Sequence, residues 1–124
     1  MEIHWFDSKE RSGQASFTQN YITLNSVASI PFEYAYRVKV GVDAEKNVVI
    51  EPLSKERVLR GDLDEYQLQS LSFKKSYTRI ASTALMRAIA EETGLSFDRN
   101  TLSFPTSWDE KENLLTVKLT KGGK

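Results

Sequence analysis

Apolar and polar residues alternate over residues 36–42, with Tyr36, Val38, Val40 and Val42 on one face and Arg37 and Lys39 on the other. This is the period-two pattern of a strand buried on one side. The polar stretch Asp43-Ala44-Glu45-Lys46-Asn47 leads into Val48-Val49-Ile50-Glu51, so the two runs are predicted to form a hairpin that Pro52 ends. Ahead of them, residues 16–25 set Phe17, Tyr21, Ile22 and Leu24 among Thr and Asn residues and read as one strand. Asn25 suits the N-cap of the run 26–30, and Pro31 biases Ile30 away from the helical region. The first helix is therefore predicted to be little more than a turn.

The same order follows later in the chain. Residues 71–80 form a second strand-like segment, and Leu85, Met86, Ile89 and Ala90 then make the apolar stripe of a helix predicted from about residue 83 to 93. Ser82 caps its start, and Gly94 suits the left-handed position at its end. Leu102-Ser103-Phe104 reads as a strand interrupted by Pro105, and residues 114–119 as another. Between the two halves, residues 54–70 carry mixed charges, Gly61 and the cluster Asp62-Leu63-Asp64-Glu65, the composition of a linker with room for a short solvent-facing helix.

A shift of 56 positions lays residues 16–28 on 72–84, and Ser16, Phe17, Tyr21, Ser26 and Ala28 meet Ser72, Phe73, Tyr77, Ser82 and Ala84. A shift of 66 brings Asp43 to Asp109, Asn47 to Asn113, Val48-Val49 to Leu114-Leu115, and Leu53 to Leu119. The ten extra residues fall where the second helix is longer. Two ordered matches, each tied to the same element, indicate an internal duplication; the alternative is two generic segments that share common strand residues. A strand, a short helix and a hairpin are too small to bury both faces alone. The expected fold class is therefore α+β: a first repeat unit over residues 1–53, a linker over 54–70 and a second unit over 71–124. The two strand–helix–hairpin units would share one core as a pseudo-two-fold, barrel-like pair.

With Tyr21-Ile22-Thr23-Leu24-Asn25 leading into a short helix, then Tyr36-Arg37-Val38-Lys39-Val40 and Asn47-Val48-Val49-Ile50-Glu51-Pro52-Leu53, the chain resembles the swapped-hairpin group of AbrB, SpoVT and MazE transcription factors and antitoxins. Its doubled arrangement is similar to that of MraZ proteins. The resemblance implies a swapped-hairpin β-barrel that binds double-stranded DNA. It also implies that basic residues on the first strand and around the short helix meet the DNA. Here those are Lys74, Lys75, Arg79 and Arg87 in the second unit, with Lys9 and Arg11 upstream of the first. Thr18, Gln19, Thr23 and Ile30 stand at the corresponding places of the first unit, so any clamp is asymmetric.

Composition narrows the remaining choices. Of 124 residues, 40% are hydrophobic and 27% charged, which suits one compact domain rather than a disordered chain. There are no cysteines, so disulfides, thiolate zinc sites and cysteine nucleophiles are excluded. No basic leader precedes a long apolar run and no stretch is long enough to cross a bilayer, so a cytoplasmic protein without membrane contact is expected. Seventeen basic residues balance seventeen acidic ones, so an anion-binding face must be local.

The segment Phe73-Lys74-Lys75-Ser76-Tyr77-Thr78-Arg79 is the strongest such candidate, with three cations and two aromatics in seven residues. Its plainer reading is a strand edge guarded by lysine against aggregation. His4 is the only histidine and suits neither a metal site nor a triad. Asp62, Asp64 and Glu65 lack the glycine and terminal glutamate of a calcium loop. No cofactor, metal or catalytic constellation is expected, so the chain reads as a non-enzyme. Trp5, Trp108, Tyr21 and Tyr77 are assigned to the core by default. The leading expectation is a DNA-binding transcriptional regulator. The alternatives are a protein-interaction module, antitoxin-like or scaffold, with a protein partner or homo-oligomer, and an enzyme or small-molecule sensor with a pocket between the halves.

Overall fold

The structure, a computed structural model, describes residues 2–6, 8, 12–97 and 101–119. Within them the apolar alternation resolves into strands β1 (Gln14–Phe17), β2 (Tyr21–Leu24), β3 (Arg37–Val42), β4 (Val48–Leu53), β5 (Leu68–Gln69), β6 (Ser72–Phe73), β7 (Thr78–Ala81), β8 (Leu102–Asp109) and β9 (Leu114–Val117). Three helices accompany them: α1 (Ser26–Ser29), α2 (Lys55–Leu59) and α3 (Thr83–Thr93). No helix among the described residues is long and apolar enough to cross a membrane.

Each long strand-like segment is in fact a hairpin. The Thr18 amide donates to the Tyr21 carbonyl at 3.0 Å and the Lys74 amide to the Tyr77 carbonyl at 2.8 Å, which folds both segments back on themselves. In the first, the Thr18 hydroxyl also accepts from the amides of Asn20 and Tyr21, a local bond that competes with extended structure. The helix boundaries follow their caps. Asn25 Oδ1 accepts from the Ala28 amide at 3.0 Å, and Ser82 Oγ from the Leu85 amide at 3.1 Å, each cap contributing about 1 kcal/mol. Pro31 diverts α1 into a single 3-10 turn over Ile30–Phe32, whereas α3 runs on to Gly94, whose φ of 78° needs no side chain to be accommodated.

All strands pair antiparallel in one sheet of order β5-β3-β4-β9-β8-β1-β2-β7-β6. Its two end strands, β5 and β6, are separated by only Ser70 and Leu71, so the sheet must curl until its ends are neighbours in the chain. The fold is thus α+β, a curled antiparallel sheet with short helices. Neither proline stops its strand. Pro52 lies within β4 opposite Val38, beyond the last pair of β4 with β9 at Ile50, where a missing N–H breaks no ladder. Pro105 sits where β8 changes neighbours, from β1 up to residue 105 to β9 from residue 106. The segment 54–70 is structured too: Ser54 caps α2, and β5 joins the edge of β3.

The core inside the sheet is filled by aliphatic residues, by Phe17 and Phe104 from the strands and by Phe32 from the 3-10 turn, each burial contributing about 1.5–3 kcal/mol. Phe17 packs against Phe104 and Phe97 with ring centroids 5.3 and 5.6 Å apart. Contrary to expectation, Trp5, Tyr21 and Tyr77 are not in this core, whereas Trp108 packs against it, its ring centroid 6.4 Å from that of Phe32. Trp5 is 77% exposed, Trp108 is half-buried, and Tyr21 and Tyr77 are half-buried on the outer side. For the two tyrosines the reason is parity: Ile22 and Leu24, like Thr78 and Ile80, take the inward positions of β2 and β7, so their odd-numbered neighbours face out.

Candidate nucleic-acid interface

That same parity turns Arg79 outward between the buried Thr78 and Ile80. On the paired strand, Tyr21 and Thr23 face out beside it, with Thr23 directly opposite Arg79. The guanidinium carbon lies 4.3 Å from the centroid of the Tyr21 ring and 5.0 Å from that of Tyr77. Its Nε donates to Thr23 Oγ1 at 3.2 Å. Two aromatic contacts of about 0.5–1 kcal/mol each hold the head group in place. Among the described residues no carboxylate pairs with Arg79. Its terminal nitrogens therefore remain available, as a preset fork, to an anion.

Strand pairing extends this point into a line. Ser103 pairs with Ser16, Ser16 with Thr23, Thr23 with Arg79, and Arg79 with Ser72. Five adjacent strands therefore present four hydroxyls and one cation across the outer face, at the roughly 4.8 Å spacing of a sheet. The hydroxyls of Ser16 and Ser103 are 3.0 Å apart. Hydroxyls and an arginine fork are the donors that engage phosphate oxygens.

Lys74 and Lys75 are exposed in the turn between β6 and β7, at the end of the ladder where Thr78 pairs with Leu24. Arg87 is exposed on α3, past the opposite end of β7. There the Ser82 amide donates to the Asn20 carbonyl, and Arg87 borders a groove of about 580 Å³ with Gln19, Asn20 and Phe97. So Lys74, Lys75 and Arg79 share one hairpin, and Arg87 stands apart from them by the length of a four-residue strand, roughly 13 Å. Lys9 and Arg11 lie outside the described residues. Sequence reasoning placed Thr23 at the counterpart of the basic strand but missed Tyr21 and the serine line as parts of this face, although the match of Tyr21 with Tyr77 was a signal for the first.

Elsewhere the titratable groups make local structure. Asp64 caps the turn at Tyr66, and the Arg57 guanidinium beside Asp62 holds its carboxyl below the usual carboxylate range. His4 is exposed, edge-on to Phe6 at 5.4 Å. Among the described residues no three His, Cys, Asp or Glu side chains are grouped to hold a metal ion. No family model matches the chain, and neither a curated protein nor a solved structure matches it.

Proposed function

We propose that this chain is a cytoplasmic DNA-binding regulator of the AbrB and MraZ type, a tandem-duplicated swapped-hairpin body that meets the phosphate backbone through Lys74, Lys75 and Arg79. The observation that carries the reading is Arg79: fixed between two tyrosine rings, bonded to Thr23, unpaired with any described carboxylate, and set within a line of hydroxyls.

The duplicated body is supported by registers that repeat at the shifts found in the sequence. Pairing of Ser16 with Thr23 and Phe17 with Ile22 recurs as Ser72 with Arg79 and Phe73 with Thr78. Corresponding strands also pair with each other, β2 with β7 and β4 with β9, as a two-fold relation requires. The hairpin asparagines behave alike: Asn47 Oδ1 accepts from the Leu119 amide, and Asn113 Nδ2 donates to the Pro52 carbonyl, both at 3.0 Å. These bonds meet peptide groups at matching places, residues 118–119 and 52–53. On this reading the approximate axis passes between Thr23 and Arg79, so a single cation occupies a place whose partner is a neutral hydroxyl. Binding is then asymmetric.

Fluorescence anisotropy with a labelled duplex at low salt tests the proposal. The wild type is expected to bind, with affinity falling steeply as salt rises. A Lys74→Ala, Lys75→Ala, Arg79→Ala variant is expected to lose at least about tenfold in affinity and to show a salt slope shallower by about 3. No binding by a correctly folded wild type would sink the idea. A second reading, a protein-interaction module that lacks DNA binding, draws on a different face, where Ile30 and Tyr34 are 68% and 85% exposed.

A further inference from the structure

That face carries an inference of its own. Ile30 and Tyr34 project from the 3-10 turn that replaces the end of α1, and Leu59, 65% exposed, projects from α2. Turn and helix border one groove of about 480 Å³, which has Glu33 and Tyr34 on one lip and Ser54 and Arg57 on the other. On the far side of Ile30 a second groove of about 390 Å³ exposes part of Trp108 beside Glu110. Among the described residues no salt bridge reaches Glu33, Glu110 or Lys55, and Arg60 acts on the nearby Asp62 carboxylate only through space, without a salt bridge. Large uncovered apolar side chains rimmed by charge mark an association surface.

The other half of the molecule indicates what such a face lacks. There α3 lays Leu85, Ala88 and Ile89 beside Val40 and Val42 of β3. The Lys46 ammonium, 3.8 Å from Glu92, ties the hairpin turn to the helix. At the shift of 66, Val42 corresponds to Trp108 and Ala44 to Glu110. Because Pro31 ends α1, nothing equivalent to the second half of α3 lies over Trp108 among the described residues, and the charge beside the gap is acidic, which calls for a basic occupant.

We propose that the occupant is a second copy of this chain, docked about a two-fold axis so that the basic outer side of each α2, with Lys55, Leu59 and Arg60, meets the acidic Ile30–Tyr34 corner of its partner. The acidic corner and α2 flank the same groove, through Glu33 on one side and Arg57 on the other, so one surface presents both charges, as a self-complementary two-fold interface requires. Glu56, the one acid on α2, leaves the segment 55–60 net basic. The proposal concerns a different face from Arg79. Only the comparison of the two halves draws on the duplication, and the test below does not involve nucleic acid.

Sedimentation equilibrium of the full chain, from micromolar to sub-millimolar concentration, is the test. The wild type is expected to dimerise. Glu33→Lys with Glu110→Lys, and separately Lys55→Glu with Arg60→Glu, are each expected to raise the dissociation constant at least about tenfold by placing like charges opposite each other. An equimolar mixture of the two variants is expected to recover dimers, because both contacts of the mixed pair are then complementary. All four positions are exposed, and circular dichroism checks that the variants stay folded. A wild type that is monomeric throughout, a dimer indifferent to both variants, or a mixture that does not recover would overturn the proposal.

Discussion

Thr78 and Arg79, adjacent on β7, face opposite sides of the sheet and meet opposite conditions. Arg79 is stacked and bonded in the open, whereas the Thr78 hydroxyl is fully buried without a hydrogen-bond partner. An unpaired buried hydroxyl costs about 1–3 kcal/mol, and valine has nearly the same shape without it. Thr78→Val is therefore expected to stabilise the fold by about 1 kcal/mol, measured as a higher urea midpoint at unchanged slope. A lower midpoint would mean that the hydroxyl is satisfied in solution. Of this pair the sequence made only the arginine legible. Its charge stands out in any reading, but which side of the strand it occupies depends on where the hairpin turns, and the Thr18 and Lys74 turns were hidden inside runs that alternate like single strands.

Elements were legible where their signals are local. Asn25, Ser82 and Gly94 mark helix ends through bonds to their own neighbours, and the alternation of β3 needs only its own residues. The prolines misled because their effect depends on which neighbour a strand has at that point. Pro52 stands beyond the last pair of β4 with β9, and Pro105 stands where β8 passes from β1 to β9. Asn47 and Asn113 join the two levels. Their match at a shift of 66 was visible in the sequence, while their bonds to residues 119 and 52 became visible only in the fold. Asn47 is buried and its amide oxygen satisfies the Leu119 N–H. Asn47→Ala would strand that donor and is expected to cost about 1–3 kcal/mol, seen as a fall in the thermal midpoint. An unchanged midpoint would show that the two hairpins are not tied together there.

At the scale of the molecule, the halves are interleaved: β1 lies between β8 and β2, and β4 pairs with β9. The line of hydroxyls beside Arg79 depends on this interleaving. Ser16 and Ser103 are 87 residues apart in sequence, and only the pairing of β1 with β8 sets them side by side, so no local pattern could have announced them. The basic hairpin was legible as a cluster, whereas Arg87 was joined to it through the resemblance, which places basic residues around the helix as well as on the strand. The central claim is that the outer face of β2 and β7, around Arg79, receives nucleic acid. The most direct measurement is a titration of the isotope-labelled protein with a short duplex at low salt, followed by backbone amide shifts in nuclear magnetic resonance. Shifts are expected at residues 73–79, at 21–23 and along Ser16 and Ser103, with α2 and the Ile30–Tyr34 corner unmoved. Saturating duplex that moves none of these amides, or moves only those of the acidic corner, would contradict the account.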